Sequence, residues 1–148
     1  MGTNETAPSH KTDSEFESLL QADNSVKKKK KTILIVDDIH ANVFLVESIL
    51  TGDFFVLKAE TASEMWRILK ASPPDLILLD LMMPFESGFE ILPKLKHDPM
   101  LTGIPVIVIS ARDSREDVLK AMSLGARDYI AKPVTEDVLL SKISMILG

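Results

Sequence analysis

Two adjacent carboxylates, Asp37 and Asp38, follow directly after a short apolar run at residues 33–36. The run is rich in β-branched residues and is typical of a strand that is buried on both faces. A charge at the end of a buried strand is costly unless a cation compensates it. The pair could cap a following helix or hold a cation, and the rest of the sequence has to distinguish these two roles.

Polar side chains also follow three later apolar runs of the sequence. Asp80 follows the third run, Ser110 ends the fourth, and Lys132 follows the fifth. Any one of these residues is common in turns. In a parallel sheet, however, the carboxyl ends of the strands meet at one edge, where open α/β sheets bind their ligands. We therefore predict that the three join Asp37 and Asp38 in one site.

The predicted site has the chemistry of a phosphoryl acceptor. Crowded carboxylates repel one another, and a hard divalent cation such as Mg²⁺ removes that repulsion. The three histidines, His10, His40 and His97, are scattered, and the chain has no cysteine, which argues against zinc. With Mg²⁺ and Lys132 binding the phosphoryl oxygens, Asp80 would attack phosphorus in line.

The elements that must position these residues alternate along the chain. We predict strands at residues 33–36, about 54–59, 76–79, 104–109 and 129–131. We predict helices near residues 40–51, 62–71, 87–97, 114–123 and 135–147. Alternation of this kind favours right-handed βαβ crossovers and a parallel sheet with helices on both faces, which is an α/β fold.

Local signals refine the helix boundaries. Thr61 with Glu64, and Asp113 with Glu116, have the spacing of helix N-terminal caps. Pro93 lies inside the third helical pattern, where it removes a hydrogen bond, so we expect a short or bent helix there.

Composition and charge divide the chain of 148 residues into two parts. Residues 1–31 hold six lysines and five acids, and we predict a disordered polar tail in which the lysine run at 27–31 is a solvated linker. Residues 32–148 hold 11 basic and 17 acidic residues and form the predicted domain. This acidic balance argues against binding of nucleic acid by the domain. No apolar run is long enough to insert into a membrane, so we expect a soluble cytoplasmic protein.

Four segments of the sequence closely resemble the receiver domain of two-component response regulators: ILIVDDIHAN, DLILLDLMMPFESGFE, PVIVISA and GARDYIAKP. The resemblance runs from about Thr32 to Leu147. It implies a flavodoxin-like (βα)5 doubly wound parallel sheet with strand order 2-1-3-4-5. It also implies a signalling domain that catalyses only its own phosphorylation and dephosphorylation, and that is not an enzyme acting on an outside substrate.

The same resemblance implies roles for individual residues of the acidic site. Asp80 would accept the phosphoryl group from a histidine kinase or a phosphotransfer protein. Asp38 would bind Mg²⁺ directly, Asp37 would bind it mainly through water, and Asp80 and the backbone carbonyl of Met82 would supply further ligands.

Other implied roles concern the response to phosphorylation. Ser110 and Lys132 would bind the phosphoryl group, and Tyr129 would rotate inward on activation. Pro133 resembles the family's cis-proline. The output protein or domain would then dock on the face formed by the fourth helix, fifth strand and fifth helix, and a phosphorylation-dependent homodimer is compatible with this scheme.

Two flanking residues are expected to set the lifetime of the phosphorylated form. In receivers, the residues two positions after the phosphoacceptor and after the hydroxyl residue help to admit water, and here they are Met82 and Arg112. Methionine has no group that positions water. Arg112 either pairs with the phosphoryl oxygens or projects into solvent, and we expect slow hydrolysis.

Competing functions make different demands on the sequence. A phosphatase of the haloacid dehalogenase class needs a DxDx[TV] motif, and a flavodoxin needs a hydroxyl- and glycine-rich loop after the first strand. The sequence has neither at the required place. A receiver-like module that is never phosphorylated would not need all five site residues. The chain is expected to be either a stand-alone receiver or the front piece of a longer protein.

Overall fold

The computed structural model describes residues 30–148. Almost all of the predicted tail, including most of the lysine run, lies outside the described residues. One compact unit spans Lys31–Gly148, and its first strand begins at Lys31, two residues earlier than predicted.

Five strands and five helices alternate along this unit. The strands are β1 (Lys31–Val36), β2 (Phe54–Ala59), β3 (Leu76–Leu79), β4 (Val106–Ser110) and β5 (Asp128–Ala131). The helices are α1 (His40–Leu50), α2 (Ala62–Ala71), α3 (Gly88–His97), α4 (Arg115–Ser123) and α5 (Glu136–Leu147).

The strands form one parallel sheet in the order β2-β1-β3-β4-β5, which confirms the predicted topology. Each central strand is buried because helices cover both faces of the sheet. Leu34 and Val36 on one face of β1 join a cluster with buried residues of α2, α3 and α4. Ile33 and Ile35 on the other face join a cluster with α1 and α5. A fully buried aliphatic side chain contributes about 1.5–3 kcal/mol, so these two layers dominate the stability of the fold.

The helix starts confirm one predicted cap and correct another. Thr61 caps α2 by accepting the Glu64 backbone N–H at 3.0 Å, as expected. The cap of α4 is Ser114, which accepts the Asp117 backbone N–H at 3.1 Å, so the prediction of Asp113 was wrong by one residue. Both residues have an acid three positions later, and spacing alone cannot choose between adjacent registers.

Helix α3 continues through Pro93 to His97, so the proline does not shorten the helix, and the alternative, a bend, stays a prediction. The residues Ile91, Leu92 and Leu95 of this helix are buried in the core. This packing compensates for the hydrogen bond that proline cannot donate, which is a case of tertiary contacts overriding local preference. Among residues 30–148, no helix is both long and apolar enough to cross a membrane.

Candidate functional site

Three aspartates meet at the carboxyl edge of the sheet. Asp37, Asp38 and Asp80 each place one carboxylate oxygen within 4.8 Å of the others. They meet because β1 and β3 are neighbours whose last residues, Val36 and Leu79, are paired in register. The Asp80 N–H extends this pairing by donating to the Val36 carbonyl at 2.9 Å.

Lys132 joins this cluster from the end of β5. Its Nζ lies 2.8 Å from Asp37 Oδ2 and 3.0 Å from Asp80 Oδ2. Burial raises the pKa of Asp80, which is only 3% exposed, although hydrogen bonds from Met82 and Lys132 partly offset that rise. Burial alone would lower the pKa of Lys132, but its hydrogen bonds to the two carboxylates raise it above the usual value. The ammonium therefore stays charged and partly neutralises the site.

Backbone N–H groups stabilise part of the remaining negative charge by donating hydrogen bonds. The Ile39 N–H donates to Asp37 Oδ1 at 2.9 Å, and the Met82 N–H donates to Asp80 Oδ1 at 3.0 Å. Asp38 differs, because its Oδ1 is buried and has no hydrogen-bond partner among the described residues. A buried oxygen without a partner costs about 1–3 kcal/mol, so an oxygen of this kind calls for a ligand.

The residues present fit a magnesium ion. Their donor set consists of carboxylate oxygens, which are the ligands that Mg²⁺ prefers, and the orphaned Asp38 oxygen provides a coordination position. The cluster at Asp37, Asp38 and Asp80 contains no histidine, which disfavours zinc at this place.

Ser110 and Tyr129 lie at the neighbouring strand ends. Ser110 is fully buried at the end of β4, and its Oγ accepts the Arg112 backbone N–H at 3.2 Å. Tyr129, in β5, donates its hydroxyl to the Arg112 backbone carbonyl. Both residues thus bond to the backbone of Arg112 in the β4–α4 loop.

The structure gives Arg112 a partner that the sequence did not suggest. Its guanidinium donates to both carboxylate oxygens of Asp117, at 2.8 and 3.0 Å, and lies 5.5 Å from the centre of the Phe89 ring. The side chain is half exposed but does not simply project into solvent. Met82 is 52% exposed beside Asp80, and its carbonyl as a metal ligand stays a prediction.

Two supporting features were missed by the sequence-based reasoning. An ideal Cβ on Gly88 would lie 2.8 Å from Leu81 Cα and 2.9 Å from the Asp80 carbonyl oxygen, so the loop after Asp80 needs glycine at this position. Glu86 joins the same loop to Trp66 and Lys94. A glycine at the start of a helix was a detectable signal for the first feature, whereas the second had none.

Comparison with known proteins agrees with this geometry. The sequence matches the response regulator receiver domain family over residues 33–144. The response regulator PleD of Caulobacter vibrioides is 40% identical over 112 residues, which cover 75% of this chain and 25% of PleD. The protein PilH of Pseudomonas aeruginosa is 35% identical over 117 residues, covering 78% of this chain and 97% of PilH.

A solved structure of a receiver domain is also similar to this chain. The signal receiver domain of a histidine kinase from Syntrophus aciditrophicus superimposes with a TM-score of 0.72 at 34% identity, covering 79% of this chain and 89% of that one. The fold and the acidic site therefore define a receiver domain. This chain belongs to the response regulator receiver domain family and is a phosphoacceptor domain of two-component signalling. The phosphatase and flavodoxin alternatives are thereby excluded.

Proposed function

We propose that Asp80 is the phosphoacceptor and that Asp37, Asp38 and the Met82 carbonyl hold the Mg²⁺ that the reaction needs. The observation that carries this assignment is the position of Asp80. Its buried carboxylate accepts a hydrogen bond from the Lys132 ammonium and belongs to the same cluster as Asp38, whose Oδ1 has no hydrogen-bond partner among the described residues. Bound Mg²⁺ would neutralise the crowded carboxylates and the charge on the phosphoryl oxygens.

The transfer step follows from these contacts. An Asp80 oxygen attacks the phosphorus of a phosphohistidine on a histidine kinase or phosphotransfer protein, and a bond from oxygen to phosphorus forms. The bond from phosphorus to the imidazole nitrogen breaks, and the imidazole leaves with the electron pair. Lys132 moves from carboxylate to phosphoryl oxygen and remains protonated. Ser110 accepts the Arg112 amide through its Oγ, and its hydroxyl would donate to the phosphoryl group.

The output protein or domain is proposed to bind the face formed by α4, β5 and α5. Exposed apolar side chains on this face support a docking role, namely Leu119 and Met122 on α4, and Val138 and Met145 on α5. The partner is an output protein or domain, with a second phosphorylated copy as the alternative occupant. In this scheme the chain acts chemically on itself alone.

Labelling with a small phosphodonor tests the assignment of Asp80. Incubation with Mg²⁺ and acetyl phosphate should add one phosphoryl group to the wild type and none to Asp80→Asn, as measured by intact-mass spectrometry. The variant Asp113→Asn, which alters an exposed aspartate outside the site, is the matched control and should label normally. Equal labelling of Asp80→Asn and wild type would overturn the assignment.

A further inference from the structure

The loop that follows Asp80 is tied to two helices by one side chain. Glu86 lies in this loop, residues 81–87, between β3 and α3. Its Oε1 accepts the Trp66 indole N–H from α2 at 3.0 Å, and its Oε2 accepts the Lys94 ammonium from α3 at 2.5 Å. Partial burial would raise the pKa of Glu86, but these two hydrogen bonds hold it below its usual value. The carboxylate is therefore charged at neutral pH and keeps both ties.

The loop at residues 81–87 is compact, and its backbone is strained at Phe85. The Gly88 N–H donates back to the Leu81 carbonyl at 3.0 Å, and the Glu86 N–H donates to the Pro84 carbonyl at 2.8 Å. The second bond closes a three-residue turn centred on Phe85, whose φ is 71°. A bulky residue adopts this left-handed conformation when its surroundings hold it there. Glu86 is adjacent to Phe85, and its two side-chain hydrogen bonds anchor this end of the loop.

The other end of the loop touches the acidic site. Met82 donates its N–H to Asp80 Oδ1 at 3.0 Å, so a displacement of the loop moves both this amide and the Met82 carbonyl relative to the carboxylate. The start of α3 does not require Glu86, because Ser87 and Glu90 already form its capping box. The two side-chain hydrogen bonds of Glu86 are therefore additional to those that cap α3.

We propose that Glu86 is a positioning residue for the acidic site: through Trp66 and Lys94 it fixes the loop that presents Met82 to Asp80 and to Mg²⁺. This inference rests on the proposed magnesium site. It extends that site to a side chain on the outer surface of the loop, which contacts neither the metal nor the phosphoryl group. Residues that bond directly to metal ligands typically change metal affinity by about 10–100-fold when they are removed, and Glu86 acts one contact further away, so we expect an effect at the lower end of that range.

Magnesium affinity provides a readout that is independent of phosphorylation. The melting temperature is measured against Mg²⁺ concentration, since a ligand that binds the native state raises it by mass action. We expect Glu86→Ala to weaken the apparent Mg²⁺ affinity about tenfold. Glu86→Gln keeps an acceptor for Trp66 and should recover part of that loss, and Lys94→Gln should weaken binding a few-fold by removing the other tie.

A matched control separates positioning from general stability. Glu47→Ala removes an ion pair of similar exposure, Glu47 with Lys58, which joins α1 to β2 instead of supporting the loop. This variant should keep the wild-type Mg²⁺ affinity. Trp66 is the single tryptophan of the sequence, so its emission should change in Glu86→Ala and stay unchanged in Glu47→Ala.

The outcomes distinguish this inference from the proposal on which it rests. If Mg²⁺ does not raise the melting temperature of the wild type, the magnesium site itself is wrong. If the wild type responds and the Glu86 and Lys94 variants bind Mg²⁺ as tightly as it does, the site stands and the positioning role of Glu86 is wrong. If Glu86→Ala fails to fold, Glu86→Gln and Lys94→Gln decide the question in the same way.

Discussion

The Lys132 ammonium lies 3.0 Å from the Asp80 carboxylate, although the two residues are 52 positions apart in the sequence. Lys132 also binds Asp37, so one cation serves two buried carboxylates. Asp38 adds a third carboxylate, and its Oδ1 has no hydrogen-bond partner in the described part of the chain. Lys132 alone therefore only partly neutralises the three carboxylates, and this imbalance makes the stability of the protein sensitive to charge at the site.

Neutralising Asp38 should stabilise the metal-free protein. Asp38→Asn removes one negative charge from the cluster and leaves the Lys132 bonds to Asp37 and Asp80 in place. We expect a gain of about 1 kcal/mol in the free energy of unfolding, which is typical for one partly exposed charge contact. Thermal unfolding in EDTA measures this gain, and added Mg²⁺ should stabilise the variant less than the wild type. A loss of several degrees in EDTA would show that the carboxylates do not repel one another.

The pH dependence of stability should reveal the raised pKa of Asp80. Its ordinary value is 3.8, and burial raises it in the folded state. Between pH 3.8 and the folded pKa, the folded protein keeps a proton that the unfolded chain has lost. The Asp80 contribution to stability therefore falls as the pH rises through this window. Asp80→Asn removes this contribution. In EDTA, the melting temperature of the variant relative to wild type should therefore increase with pH across this window and then level off, whereas a constant difference would contradict the raised pKa.

The residues that follow the strands were the part of the site that the sequence predicted best. The buried runs before Asp37 and Asp80 have the periodicity of strands covered on both faces, and parallel pairing then brings their carboxyl ends together. Lys132 could be placed by the same rule because it follows β5. Such predictions succeed because crossover helices make the strands parallel, so that the carboxyl ends of all the strands lie at one edge of the sheet.

Side-chain partners near the surface could not be predicted in the same way. Glu86 bonds to Trp66 across 20 residues, and Arg112 selects Asp117 from several nearby acids. Each long polar side chain has many rotamers, and the tertiary positions of the helices decide which partner it reaches. Spacing along the chain carries almost no information about such pairs.

Gly88 should tolerate no side chain. A Cβ at this position would lie 2.8 Å from Leu81 Cα and 2.9 Å from the Asp80 carbonyl oxygen, and both are backbone atoms that cannot move aside easily. We expect Gly88→Ala to destabilise the fold by about 1–3 kcal/mol, as overpacking does, and to weaken the Mg²⁺ response. Gly103→Ala is the control, because nothing lies within 4 Å of its Cβ position. Chemical denaturation of both variants measures the difference, and equal stabilities would show that the loop adapts.

Tyr129 should restrain the β4–α4 loop of the unphosphorylated protein. Its hydroxyl donates to the Arg112 carbonyl, and Tyr129→Phe removes this bond at a cost of about 0.5–1.5 kcal/mol. We expect faster hydrogen exchange of the amides at residues 111–114 in the variant. Beryllofluoride, a mimic of the phosphoryl group, should produce a similar change in the wild type, together with changes on α4. Exchange changes confined to α2 would contradict a switch at Tyr129.

Met82 should slow the hydrolysis of the phosphorylated form. Met82 is 52% exposed and its backbone N–H bonds to Asp80, so we expect its thioether to lie near the path of an attacking water, which it cannot orient by a hydrogen bond. Asparagine at this position is smaller and supplies an amide, so Met82→Asn should speed loss of the phosphoryl group by about tenfold, equivalent to 1.4 kcal/mol in the barrier. Phosphate release is followed in Mg²⁺ without a phosphatase.

Two further variants determine whether this effect is local. Met100→Asn alters an exposed methionine remote from Asp80 in the sequence and should leave the rate unchanged. In the unphosphorylated protein the Arg112 guanidinium binds Asp117 and does not bind the carboxylates of the acidic site. If Arg112 leaves Asp117 to pair with the phosphoryl oxygens, Arg112→Gln should also speed hydrolysis, and because both side chains would then act on the same phosphoryl group, the effect of the double variant with Met82→Asn should differ from the sum of the two single effects. An unchanged rate in Met82→Asn would show that water reaches the phosphoryl group along a path that Met82 does not border.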